Sequence, residues 1–143
     1  MILRKAKQKD IGTLRCLMKE LSGHAVSIDQ MTNRLQFIED SKVDSLFVCE
    51  EEARVIGILG FRIRENLEEA SRFGEVSIIV VDPNNRYQGT GRFMMNHAEK
   101  LAREHNCMGM WLVSGFGREE EAHAFYKKLG YEINGYRFIK LFK

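Results

Sequence analysis

The segment Asp82-Pro83-Asn84-Asn85-Arg86-Tyr87-Gln88-Gly89-Thr90-Gly91 constrains this chain more than any other. It joins the most apolar run, residues 73–81, to a stretch over residues 89–105 in which Phe93, Met94, His97, Ala98 and Leu101 recur at helical spacing. A strand that turns into a helix leaves the first helical N–H groups without intrahelical acceptors. Here those groups belong to Gln88, Gly89, Thr90, Gly91 and Arg92, and the two glycines take away side chains where the chain turns. They can converge on one anion, and a diphosphate is a natural guest, with Arg86 and Arg92 able to meet its oxygens in fork geometry. An ordinary helix start with solvated arginines satisfies the same residues, so the segment alone leaves both readings open. Two better-known phosphate loops are excluded: no Gly-Lys-Ser/Thr follows, and Gly91 is succeeded by Arg92-Phe93-Met94, without a third glycine.

The rest of the chain reads as alternating elements around that segment. A strand is expected over residues 3–6, then a helix capped by Asp10 with Ile11, Leu14, Leu17, Met18 and Leu21 on one face, ended by Ser22-Gly23-His24. A second helix starts at Ser27 or Asp29 and carries Met31, Leu35 and Ile38. Strands over residues 45–49 and 55–63 form a hairpin about the polar turn Glu50-Glu51-Glu52-Ala53, and Gly57 and Gly60 mark a bend. A polar connection over residues 64–72 leads to the central strand, whose unbroken apolar run predicts cover on both faces. After the long helix come a strand over 108–113, a Gly-rich loop over 114–118, and a helix over 119–129 with Ala122, Phe125, Tyr126 and Leu129 on one side. Gly130 ends that helix, and residues 131–142 alternate enough for one or two final strands. The order β-α-α-β-β-β-α-β-α-β predicts an α/β (α+β) domain, a mixed sheet with helices on both faces.

Composition narrows the class. The 143 residues suit a single domain spanning 1–143, and 44% hydrophobic with 29% charged residues argues against disorder. A formal charge of +2 gives no reason to expect a nucleic-acid partner. Apolar runs such as Ile78-Ile79-Val80-Val81 are far too short for a membrane span, and no signal-peptide pattern opens the chain. Cys16, Cys49 and Cys107 are odd in number and far apart, which fits reduced, mostly buried thiols in a cytoplasmic protein. No metal site is expected, because His97, His105 and Cys107 lack further ligands at suitable spacing.

Arg86-Tyr87-Gln88-Gly89-Thr90-Gly91, after Val81-Asp82-Pro83 and before a long helix, resembles the acetyl-CoA signature Arg/Gln-x-x-Gly-x-Gly/Ala of the GCN5-related N-acetyltransferases. Ala122-His123-Ala124-Phe125-Tyr126-Lys127-Lys128-Leu129-Gly130-Tyr131 resembles the family's second motif, with Glu119 where that motif has Asn. The N-terminal strand and two helices match too, so the resemblance covers essentially the whole chain. It implies a sheet splayed at the cofactor groove. The pantetheine arm of acetyl-CoA would bond the backbone of Ile79, Val80 and Val81, and its diphosphate would sit on the amides of residues 88–92 beside Arg86. It further implies direct transfer of acetyl to a primary amine of a small molecule, peptide or protein, and makes a homodimer common.

The resemblance also points to individual residues. Glu75, an acidic residue near the start of the apolar strand, is the candidate base; a solvated or arginine-paired carboxylate (with Arg72 or Arg62) is the alternative. Tyr126 is the candidate acid toward the thiolate, against a plain core tyrosine. Ser114 can hold a water or substrate, and His24 lies in the loop that forms the acceptor wall. The acidic groups Glu65, Glu68, Glu69 and Glu119, Glu120, Glu121 can attract a cationic amine or simply be solvated. A module that keeps the groove without catalysis, an acyl-CoA sensor or structural subunit, is the competing function.

Overall fold

Apolar runs at 46–49, 55–61 and 78–81 fold into the centre of the first of two compact units, Met1–Trp111 and Leu112–Lys143, in a computed structural model that describes residues 1–114 and 119–142. The strands are β1 (Ile2–Lys5), β2 (Asp44–Glu51), β3 (Arg54–Asn66), β4 (Ser71–Val81) and β5 (Gly109–Leu112), and they lie side by side in that order. The helices are α1 (Ile11–Ser22), α2 (Ile28–Asp40), α3 (Thr90–Glu104) and α4 (Glu119–Lys128). β1 to β4 pair antiparallel. β5 runs parallel to β4: the Met108 N–H donates to the Arg72 carbonyl at 2.8 Å, and two residues on in each strand Gly74 meets Met110. The sheet is therefore mixed, as expected.

The sheet buries both faces. Leu14, Leu17, Met31 and Leu35 from α1 and α2 pack with Leu46, Val48, Ile58 and Val80. On the other face, α3 buries Met94, Met95, Ala98 and Ala102 against β3 and β4. Gly57 and Gly74 admit this helix closely, since a Cβ on either would stand 2.9 Å from Met94 Cε or from Ala102 Cβ. Leu21, expected inward on α1, is exposed, and so is Cys16; Cys49 is buried. The connection expected over 64–72 is mostly strand, leaving only Leu67 to Ala70 as the turn.

Asp10 precedes α1 but does not cap it. Its carboxylate accepts two bonds from Arg4 at 2.8 Å each and one from the Lys7 N–H at 2.7 Å, while Arg4 also donates to Glu50 at 2.7 Å. This ties β1, β2 and the start of α1 together. The Arg4 guanidinium holds the Asp10 carboxyl below its ordinary value. A depressed native pKa adds stability above the unfolded pKa, about 4, and loses it as pH falls through the native value. Asp10→Asn should therefore cost about 3 kcal/mol at neutral pH. In denaturant titrations the gap to the parent protein should close below about pH 4; a gap independent of pH would contradict the assignment.

In the second unit α4 ends as anticipated at Gly130, which has φ +92°. The strands expected over 131–142 are not formed. Tyr136, Phe138, Leu141 and Phe142 are each more than 80% exposed. Alternation supplies a strand's side chains, but a strand also needs a neighbour for its backbone groups. The loop expected over 114–118 lies, beyond Ser114, outside the described residues.

Candidate functional site

β4 leads straight into the helix start. The Asp82 carboxylate accepts the Asn84 N–H at 2.9 Å and an Arg54 bond at 3.1 Å, shaping a single 3-10 turn, Pro83–Asn85. The chain then passes through Tyr87 at φ +65° and Gly89 at φ +84°, and α3 begins at Thr90. Left-handed backbone at a non-glycine residue is costly and clusters at ligand sites. The first α3 bond runs from the Phe93 N–H to the Gly89 carbonyl at 2.9 Å, so the Thr90, Gly91 and Arg92 N–H groups have no helical acceptor. Thr90 is 1% exposed, and its Oγ1 and the Asn85 Oδ1 are buried without a hydrogen-bond partner among the described residues. Free amides and an unpartnered buried hydroxyl at one helix start are a donor set that fits a diphosphate. Only Gly89 needs its left-handed conformation; Gly91 lies inside the first helical turn. Arg92 and Gln88 are exposed, and half-buried Arg86 reaches Glu20 of α1 at 3.7 Å.

The strand before this turn is half open. β3 follows β4 to its end, with Leu59, Ile58 and Gly57 opposite Ile79, Val80 and Val81. The contacts of β5 with β4, the Met108 N–H to the Arg72 carbonyl and Met110 beside Gly74, lie toward the start of β4, and β5 has four residues against the eleven of β4. Among the described residues the end of β4 thus has β3 on one side and no strand on the other, leaving backbone groups that a peptide-like ligand can pair with. The opening begins at a β-bulge: Gly60 opposes Ile78 and Phe61 opposes Val76, leaving Ser77 extra. Gly60 makes room for it, since a Cβ there would lie 2.5 Å from Ser77 Oγ. Bulges of this kind recur beside active sites. Ile79 and Val81 share the α3 face with Leu59 and Gly57, while Val80 is buried under α1 and α2.

Glu75 stands opposite Arg62 in the β3–β4 register, on the face that carries α1 and α2. Its partner is neither of the arginines anticipated. Arg62 lies 3.9 Å from Asp44, Arg72 pairs with Glu65, and Arg64 Nη1 donates to Glu75 Oε1 at 3.2 Å. The Arg64 guanidinium lies 3.5 Å over the centre of the Trp111 ring. Sequence reasoning missed Arg64 and Trp111 because it placed residue 64 in a connection. Had β3 been continued by its alternation, Arg64 would have fallen diagonal to Glu75.

His24 is exposed in the α1–α2 loop, its N–H donating to Ser22 Oγ at 3.1 Å. In the second unit, Ser114 is half-buried outside regular structure. Tyr126 of α4 packs its ring against Phe125 at 5.1 Å and Tyr131 at 6.0 Å. Burial pushes its hydroxyl above the ordinary tyrosine range, so it is a protonated donor at neutral pH.

A mixed sheet open on one side of its central strand, followed by a helix start with free amides, is the architecture of an α/β protein whose sheet edge and anion-capable turn lie in line. The chain belongs to the Acetyltransferase (GNAT) family, whose sequence profile it matches over residues 12–131. It is 27% identical over 166 aligned positions to elongator complex protein 3 of Mus musculus, covering 96% of this chain and 29% of that protein. It is 31% identical over 86 positions to the aminoalkylphosphonate N-acetyltransferase of Salmonella typhimurium, covering 60% of this chain and 55% of that one. The chain thus spans between about a third and about half of these relatives' lengths. An aminoglycoside N-acetyltransferase solved in complex with CoA superposes with a TM-score of 0.82 at 18% identity, covering 99% of this chain and 93% of that one, a likeness of fold. Among the described residues no helix is long and apolar enough to cross a membrane.

Proposed function

We propose that this chain, as one domain over residues 1–143, transfers acetyl from acetyl-CoA to a primary amine of a small molecule or peptide. The observation that carries the reading is the alignment along β4 of a half-open strand edge with free amides at its far end. The α3 amides and Arg86 and Arg92 hold the diphosphate, and the backbone of Ile79, Val80 and Val81 pairs with the extended arm. Glu75 lies six residues before Val81, about 20 Å along the strand, on the side away from the diphosphate. When bound, acetyl-CoA supplies an activated acyl group on sulfur. An amine attacks only when neutral, so Glu75 Oε2, or a water it holds, takes the proton from the incoming ammonium. Tyr126 Oη gives a proton to the departing sulfur, and His24 and Ser114 border the acceptor. The test is calorimetric titration with acetyl-CoA followed by thiol release with a panel of amines. Binding also raises Tm, because the ligand meets only the folded state.

Tyr126→Phe keeps the ring and removes the donor. Turnover should fall about 10- to 100-fold, while acetyl-CoA affinity changes by less than about tenfold. Equal losses of stability and activity would mark Tyr126 as a packing residue only. We also propose a homodimer, which would cover the apolar tail at 131–142. Sedimentation at micromolar concentration should give twice the monomer mass; a monomer contradicts it.

A further inference from the structure

The Arg64 guanidinium is held over the Trp111 ring and is in part unpaired. Its carbon lies 3.5 Å from the centre of the Trp111 ring, and Glu75 takes only Nη1. Nε is buried with no partner, and Nη2 makes no hydrogen bond among the described residues. Nε and Nη2 form one edge of the guanidinium fork, the edge that matches two oxygens of a carboxylate, phosphate or phosphonate. A buried N–H left without an acceptor is costly, which calls for a partner that arrives later. The nearby carboxylates do not serve: Asp44 lies by Arg62 and Glu65 by Arg72. The side chain as a whole keeps 34% of its surface in water, so a ligand can approach the guanidinium from its exposed side.

We propose that Arg64 is the specificity-determining residue of the acceptor site, and that the acceptor is a small primary amine carrying an acid group. The acid pairs with the Nε–Nη2 edge while the amine, a short carbon chain away, meets Glu75. Because the Glu75 charge is already matched by Arg64, a polycationic acceptor gains no net attraction here, whereas an amine that brings its own anion pairs at both ends. This proposal rests on the transfer reading above for its amine, but its oxyanion contact stands on Arg64 and Trp111 alone.

The test has two arms. In the first, the Arg64 Nε–H resonance of 15N-labelled protein is followed during titration with methylphosphonate and, separately, with ethylamine. Saturable movement with methylphosphonate alone is expected; no movement overturns the proposal. In the second, acetylation is compared between aminoalkylphosphonates or ω-amino acids and unsubstituted amines of equal length. The acid-bearing amines should show KM values at least about tenfold lower. Arg64→Met should abolish that preference and leave the acetyl-CoA Kd unchanged, and Arg64→Lys should restore part of it. Equal KM values for both series would overturn the proposal while leaving acetyl transfer intact. Movement of the Nε–H resonance without acetylation of any amine would instead overturn the transfer reading and keep the oxyanion site.

Discussion

Glu75→Gln is expected to lower kcat about 100-fold while leaving acetyl-CoA affinity nearly unchanged. The magnitude is the lower end of what a positioned proton acceptor contributes. Gln keeps the shape of the side chain and can still accept a bond from Arg64, so the variant tests the proton and not the packing. The Arg64–Glu75 pair is partly solvated, with 34% and 16% of the two side chains exposed. Its loss should therefore cost at most about 1 kcal/mol of stability, which a thermal melt separates from the kinetic effect. Retention of full kcat at saturating amine would show that bulk water takes the proton and remove Glu75 from the mechanism.

Gly89→Val should raise the acetyl-CoA Kd about 100-fold. The residue sits at φ +84°, and a Cβ there meets nothing within 4 Å, so the obstacle is the backbone and not crowding. A β-branched residue resists left-handed geometry by about 1–2 kcal/mol, and relaxing it turns the Thr90, Gly91 and Arg92 amides away from their common focus. Losing two or three charge-assisted bonds to phosphate accounts for the expected factor. Gly89→Asn, which tolerates this conformation, should keep most of the affinity. Calorimetry on both variants decides the matter: unchanged affinity in the valine variant would place the diphosphate elsewhere.

The sheet and its helices were legible because burial imposes period. Leu14 and Leu17, Met31 and Leu35, and Met94 and Ala98 all fall where helical spacing puts them, and the loop ahead of α3 was read from its glycines. The failures have a common cause, which is that partners are not written locally. Asp10 has the chemistry of a cap, but Arg4 outcompetes the helix amides for its carboxylate. The β3–β4 hairpin runs through a charged stretch because Glu65 with Arg72 and Arg64 with Glu75 pair across the strands, so polarity suggested a loop where cross-strand pairs sustain a ladder. The bulge at Ser77 was legible only as a bend read from Gly60, with nothing local to show which residue of the facing strand would be extra. The tail at 131–142 has strand periodicity, yet it takes no strand in the described chain.

Acetyl transfer to an amine has a fixed stoichiometry. Wild-type protein is mixed with acetyl-CoA and a panel of primary amines, free thiol is followed with time, and the products are weighed by mass spectrometry. One acetylated amine is expected for each thiol released, with little release when no amine is present. Tight acetyl-CoA binding without any acetylated product across the panel would contradict it, and would mark the chain as an acyl-CoA-binding module on the same fold.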